Sequence, residues 1–351
     1  MIAELLIDVI KAAAVIGVML GIVAYTVMAE RWVSAWIQDR IGPNRVGPLG
    51  LLQPLADGVK LILKEDVLPH HVKKVLYTIA PTLVIMPALI NMAVIPWGST
   101  LPIAGRDVPC VIADLNIGIL FVFAFTSLSV YGIVLAGYAS NSKYPFLGGI
   151  RSRAQMISYE VCLGLSVVPV FMQAGSLNLG KIVEYQAQHA LLVLCQPLSF
   201  FIFVVSAFAE NNRLPFDLPE AEQELVGGYN TEYSSMKFGM FMMGEYAAMF
   251  VMASLIVTLF LGGWQVPYLQ PDGFHFPGGA TLPTSQWAYV PLGVASFSVK
   301  VLVFCIVFMQ LRWTLPRFRY DQLMRLGWLG LFPIAVANVL VTASVLAFVN
   351  R

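Results

Sequence analysis

The chain is 351 residues long, 58% hydrophobic and 12% charged, with a mean hydropathy of +0.76. Soluble domains are about 25% charged, so this composition leaves too little polar surface to face water on all sides. A net charge of +1 removes any bulk electrostatic case for nucleic acid, and four scattered cysteines with four histidines at no ligand spacing argue against a metal or haem site.

The apolar runs predict an all-α membrane protein, a single polytopic domain over residues 1–351 with about eight transmembrane helices. They fall at roughly 3–31, 75–98, 112–138, 156–175, 191–210, 237–262, 291–313 and 327–349. The first run reads as a retained span. Glu4 and Asp8 stand where a signal peptide carries positive charge, and no small-residue cleavage site follows the uncharged stretch from Ala12 to Ala29. Eight spans put both termini on one side. Sixteen of the twenty-one Lys and Arg lie in the odd-numbered loops, 31–74, 139–155, 211–237 and 312–326. The positive-inside rule makes those loops cytoplasmic and places both termini on the outer face.

In the first cytoplasmic loop, Gly42, Pro43, Asn44, Gly47, Pro48 and Gly50 break helix and specify a shaped turn region. The loop has no GxxxxGK and follows no strand, so it is not a phosphate loop. Residues 53–65 then predict a short amphipathic helix, with Leu52, Leu55, Val59, Ile62 and Leu63 on one side and Asp57, Lys60 and Lys64 on the other. The simpler reading lays this helix in the interface with its lysines toward headgroups. The alternative has the charged stripe lining a cavity or meeting a partner.

The third cytoplasmic loop is acidic where such loops are ordinarily basic. Glu210, Asp217, Glu220, Glu222, Glu224 and Glu232 fall within 23 residues, offset locally by Arg213 alone. Carboxylates held close resist joint ionisation, so a packed cluster would hold protons near neutral pH. Phe216 and its apolar neighbours predict a folded loop packed on the bundle. Three more charges, Glu160, Glu245 and Lys300, lie inside predicted spans. Each costs about 2.5–3.5 kcal/mol at a helix centre unless compensated, so each should face the bundle interior or water. The bland alternative is a buried ion pair of Lys300 with Glu160 or Glu245. The outer segment 263–290, rich in Gly, Pro and aromatic residues, reads as an ordered loop with interfacial Trp264, Tyr268, Trp287 and Tyr289.

The stretch 30–66 (ERWVSAWIQDRIGPNRVGPLGLLQPLADGVKLILKED) resembles the first signature of the H subunit, mitochondrial subunit 1 type, of proton-pumping NADH:quinone oxidoreductase, respiratory complex I. The stretch 210–232 (ENNRLPFDLPEAEQELVGGYNTE) is similar to its second. Ser158-Tyr159-Glu160, the region of Gly244-Glu245-Tyr246 and residues 316–322 (PRFRYDQ) match as well; Asn211 departs from the usual Thr. The resemblance implies a subunit in the bacterial inner (plasma) membrane that joins a hydrophilic arm to antiporter-like membrane subunits, amid membrane lipids. Quinone would be the substrate, and FMN and iron–sulfur clusters would be held only by partner subunits. By the same resemblance, Glu30, Arg31, Asp57, Lys60, Arg213, Phe216 and Asp217 would belong to the quinone chamber. Glu160, Glu210, Glu220, Glu222, Glu224, Glu245 and Lys300 would couple its chemistry to proton translocation.

Three rivals remain at the level of sequence. The related subunit of membrane-bound hydrogenases shares the topology without quinone chemistry. A self-sufficient ion transporter would bring inverted repeats and broken helices, of which none is evident. A passive anchor explains the spans but not the charges within them.

Overall fold

A computed structural model describes residues 2–103, 106–219, 222–270, 273–275, 281–283 and 285–349. α1 (Ile2–Ile37) leads through a turn-rich segment to the short α2 (Gln53–Leu63), and α3 (Lys74–Asn91) returns through the bundle. A hairpin of β1 (Thr100–Ile103) and β2 (Arg106–Pro109) caps the far end, with Leu101 opposite Val108. α4 (Gly118–Ala139) and α5 (Lys143–Ala174) follow, then the short α6 (Leu179–Gln188) and α7 (Leu192–Cys195), then α8 (Pro197–Glu210). After the one-turn α9 (Glu222–Leu225) comes α10 (Ser235–Phe260). Strands β3 (Leu269–Gln270), β4 (Gly273–His275) and β5 (Thr281–Pro283) form a small antiparallel sheet. α11 (Gln286–Thr314), α12 (Tyr320–Arg325), a π-helical turn at Leu326–Leu331 and α13 (Phe332–Val349) complete the chain.

Seven helices among the described residues are long and apolar enough to cross a membrane: α1, α3, α4, α5, α10, α11 and the run from α12 through α13. The all-α membrane fold is thus as the hydropathy predicts. The fifth predicted span, 191–210, differs. It is split into α7 and α8 at Gln196, whose φ of −131° and ψ of 58° leave the helical region. Pro197 is the cause, because a proline ring crowds the residue before it out of the helical conformation. α5 differs in the other direction and begins at Lys143, so most of the predicted loop 139–155 is helix. Pro145 sits in its first turn, where a missing N–H costs nothing.

Lipid is as apolar as leucine, so helices associate in a membrane by close packing rather than by hydrophobic exclusion. α3 shows how. A Cβ on Gly132 of α4 would stand 2.6 Å from Val84, and one on Gly244 of α10 would stand 2.8 Å from the same side chain. Two glycines therefore let α4 and α10 close on α3 from both sides. The main core is built from α5, α8, α10 and α11, with Phe208 stacked on Phe308 at 3.9 Å between ring centres. Nearly all of α10 from Met249 to Phe260 is buried, so this helix is the axis around which the site is organised.

Candidate functional site

The site lies at the end of the bundle that carries α2 and the segment between α8 and α10. The apolar residues Leu55, Val59, Ile62 and Leu63 of α2 are all more than half exposed and face away from the protein. Asp57 and Lys60 face inward. They line a cavity of about 490 Å³ with Glu30 and Arg31 of α1, Tyr246 of α10 and Arg312 of α11. Asp57 and Lys60 of the charged stripe thus line a cavity, whereas Lys64 is exposed and does not. Arg31 Nη1 donates to Asp57 Oδ2 at 2.6 Å, and Lys60 Nζ lies 3.4 Å from Oδ1. Burial alone would push the Asp57 carboxyl up; Arg31, helped by Gln53 and Lys60, outweighs it and holds Asp57 below its ordinary value.

Behind this cavity stands a buried ion cluster. Glu30 is 4% exposed and accepts from two guanidiniums, Arg213 Nη1 at 3.0 Å and Arg312 Nη1 at 2.5 Å. Arg213, 5% exposed, also reaches Glu245 Oε1 through Nε at 2.9 Å and stacks over the Tyr246 ring at 4.4 Å. Two acids and two arginines balance, which makes the burial tolerable; loss of any one would strand a charge. Arg213, Arg312, Glu245 and Tyr246 also wall a second cavity of about 230 Å³ with Asn212, Asp217 and Asn230. A third, of about 50 Å³, shares Asn212 and Glu245 with the second. Shared walls thus chain three cavities from α2 into the middle of the bundle.

Among the described residues, the acids of 210–232 do not form one cluster. Asp217 pairs with Arg317 Nη2 at 3.0 Å, Glu224 with Arg151 Nη1 at 2.8 Å, and Glu232 with His71 Nε2 at 3.8 Å. Their partners come from segments distant in sequence, which is why local charge counting exaggerates the repulsion. Glu224 is exposed. Burial pushes Asp217 up to about 6 although Arg317 opposes it. Glu220 lies outside the described residues, as does the side chain of Glu222. Glu210 differs from the rest: it is 4% exposed, and neither carboxylate oxygen has a partner within the protein. Glu160 of α5 is the neighbouring charge whose field it feels.

The loop that holds these acids is pinned by α5. Gln155 Nε2 donates to the carbonyls of Ala209 and Phe216, both at 2.8 Å. A Cβ on Gly148 would stand 2.7 Å from Pro219 O, so only glycine admits the loop this closely. Phe216, expected in the chamber, packs against Tyr159 and Phe318 and lines neither of the two larger cavities. Lys300 joins neither Glu160 nor Glu245. Its Nζ donates to the carbonyls of Leu261 and Gly263, both at 3.0 Å, and Gln265 at 2.7 Å, at the opposite end of α10. Arg312 and Arg317 give no sequence signal as site residues, because they sit in a basic stretch at and just beyond the end of α11 that orientation alone explains. Gln155 gave no signal at all.

Residues 10–343 match the family described as NADH dehydrogenase. The H 2 subunit of NADH-quinone oxidoreductase from Geobacter sulfurreducens is 50% identical over 97% of this chain and 96% of its own length. The H 1 subunit of the same enzyme from Geobacter metallireducens is 50% identical over 98% and 97%, and the H 1 subunit from Cytophaga hutchinsonii 47% identical over 95% of each. Identity of this order across nearly the whole chain places it with them: the chain belongs to the NADH dehydrogenase family, as an H-type membrane subunit of the enzyme complex NADH-quinone oxidoreductase.

Proposed function

We propose that this subunit forms the membrane side of a quinone chamber in the bacterial inner membrane and passes the electrostatic consequence of quinone reduction toward proton translocation. One observation carries the reading: the three cavities linked by Tyr246, Arg312, Glu245 and Asn212. The first has the apolar α1 wall of Val23, Val27 and Met28 for an isoprenoid tail, and Asp57, Lys60, Arg31 and Glu30 for a polar head. Electrons arrive through FMN and iron–sulfur clusters held by other subunits of the complex, and the site-bearing end faces the cytoplasm.

In this reading a change of charge at the head group is felt first by Glu30 and Arg312. The ion pair of Glu30 with Arg213 relays it to Glu245, and Asp217, Glu210 and Glu160 respond by changing protonation. Glu220 and Glu222, which neighbour Asp217 in sequence, take part from the same loop. Lys300, committed to three carbonyls, holds the outer end of α10 rather than extending the chain of proton carriers.

A photoreactive quinone analogue, applied to the assembled complex and competed with unlabelled quinone, tests the first half. Competable labelling of residues 20–31 or 54–61 is expected, and labelling confined to other subunits would overturn it. Inhibitor-sensitive quinone reduction in the purified complex separates this reading from hydrogenase-type chemistry. For the second half, Glu160→Gln in the complex should slow pumping while assembly persists; full coupled activity would count against it.

A further inference from the structure

A cavity of about 480 Å³ lies at the end of the bundle away from α2 and shares no lining residue with the other three. Lys11, Ala14, Val15, Val18, Met19 and Ile22 of α1 form one long wall of it, at the spacing of a single helical face. Phe250 of α10 and Phe297 of α11 close the opposite side. Ile10 and Val18, both more than half exposed, stand at its rim, so it opens on the flank of the bundle. From Lys11 to Ile22 the wall runs eleven residues. That is about 17 Å of helix, close to the depth of one leaflet of a hydrocarbon layer about 30 Å thick. Glu30 of the candidate site is nineteen residues beyond Lys11. The separation of about 28 Å puts Lys11 near the opposite boundary of that layer.

Two donors stand at the polar end of this apolar groove. The Lys11 side chain is only 16% exposed, and its one ion pair among the described residues is with exposed Asp8 at 3.6 Å. An ammonium carries three donors and is costly to bury unless they are met, and a long pair with a solvated carboxylate meets them poorly. Trp97 also lines the cavity, and its buried indole Nε1 has no partner in the protein. The two residues are neighbours. The charge of Lys11 is felt by Cys110, whose carbonyl accepts from the Trp97 backbone N–H at 3.2 Å.

We propose that this cavity binds one anionic phospholipid, with an acyl chain lying along α1 and the phosphate on Lys11 and the Trp97 indole. The groove has the length of a leaflet and a cation at its headgroup end, which is the arrangement such a lipid requires. A zwitterionic lipid brings an ammonium of its own toward Lys11 and is the weaker ligand. A quinone would fill the apolar part but bring no charge to Lys11. A helix from a partner subunit, at least about 10 Å across, would occupy roughly 1,300 Å³ over the same length and does not fit.

The test uses the assembled complex in phosphatidylcholine proteoliposomes doped with a phosphatidylglycerol that carries a diazirine in its acyl chain. Phosphatidylcholine with the same diazirine is the comparison, and adducts are mapped by peptide mass spectrometry. Labelling of residues 10–22 and 294–298 is expected, with phosphatidylglycerol preferred about fivefold, the worth of one basic residue toward an anionic headgroup. Unlabelled phosphatidylglycerol should compete and unlabelled quinone should not. Lys11→Gln should abolish the preference, and Trp97→Phe, which keeps the ring and loses the N–H, should reduce it. Ala14→Phe fills the groove from α1 and should cut labelling by both lipids at these residues several-fold. Equal labelling by the two lipids, a preference that survives Lys11→Gln, competition by quinone, or no adducts at these residues would each overturn the proposal. If Lys11→Gln does not assemble, the wild-type lipid comparison and Ala14→Phe decide by the same criteria, and labelling unchanged in Ala14→Phe sinks it.

Discussion

Arg213 and Glu30 are 183 residues apart in the chain and meet at 3.0 Å with both side chains buried. The bond ties α1 to the segment after α8, and Arg213 extends the tie to Glu245 on α10. Replacing Arg213 by Met would leave Glu30 with Arg312 alone and Glu245 without its guanidinium. Breaking one member out of a buried ionic set typically costs about 3–5 kcal/mol. Arg213→Met is therefore expected to lower the yield of assembled complex on native gels, and Arg213→Lys to rescue it only partly, since one ammonium cannot span the two acids as a planar fork does.

Asp57 gives a contrasting expectation. Its native carboxyl sits below the ordinary value, so the stabilisation from its ion pairs is present above the unfolded pKa and lost as pH falls through the lower native one. Across neutral pH it stays charged, and pH should not modulate its role. Asp57→Asn should raise quinone KM several-fold at every pH from 6 to 8, by an equal factor, measured as inhibitor-sensitive turnover. A factor that varies across that window would show that Asp57 titrates there.

Asp217 behaves oppositely. Its native carboxyl is raised to about 6, so the folded protein holds the proton more tightly than the unfolded chain. The ionised form costs stability: nothing below an unfolded pKa of about 3.9, increasingly between about 4 and 6, and fully above the native value. Relative to wild type, Asp217→Asn should gain thermal stability as pH rises from 4 to 6, with the gain levelling off above about pH 6. Melting the purified complex at a series of pH values measures this directly.

Lys300 separates structure from coupling. Hydrogen bonds from a charged donor contribute about 1.5–3 kcal/mol each, and three carbonyls depend on this one. Lys300→Met should lower the melting temperature of the complex while leaving quinone KM and the proton-to-electron ratio of the surviving enzyme unchanged. The exposed Arg151–Glu224 pair is the surface counterpart: Glu224→Gln should shift stability by less than about 1 kcal/mol.

Hydropathy was enough for the long helices, because a run of about twenty apolar residues has few other fates. It failed at Gln196–Pro197, where a local steric rule outweighs composition, and at 143–155, where a polar stretch simply prolongs a helix past the apolar zone. The α2 stripe was legible because helical spacing alone puts Asp57 and Lys60 together. The pairing of the acids was not. Arg317, Arg151 and His71 reach Asp217, Glu224 and Glu232 from 100, 73 and 161 positions away, and only folding brings such partners into contact. The same holds for Lys300, whose partners are carbonyls and have no side-chain signature.

The orientation of α2 has a thermodynamic consequence. Leu55, Ile62 and Leu63 are more than half exposed on the outer side of the helix while Asp57 and Lys60 line the cavity, so in the proposed chamber the helix would be a wall only one side chain thick between lipid and site. A molecule that slips past such a wall never samples bulk solution. Its chemical potential is set by its mole fraction among the lipids, and apparent affinities expressed per litre of buffer would change with the amount of membrane in the cuvette even though the protein does not.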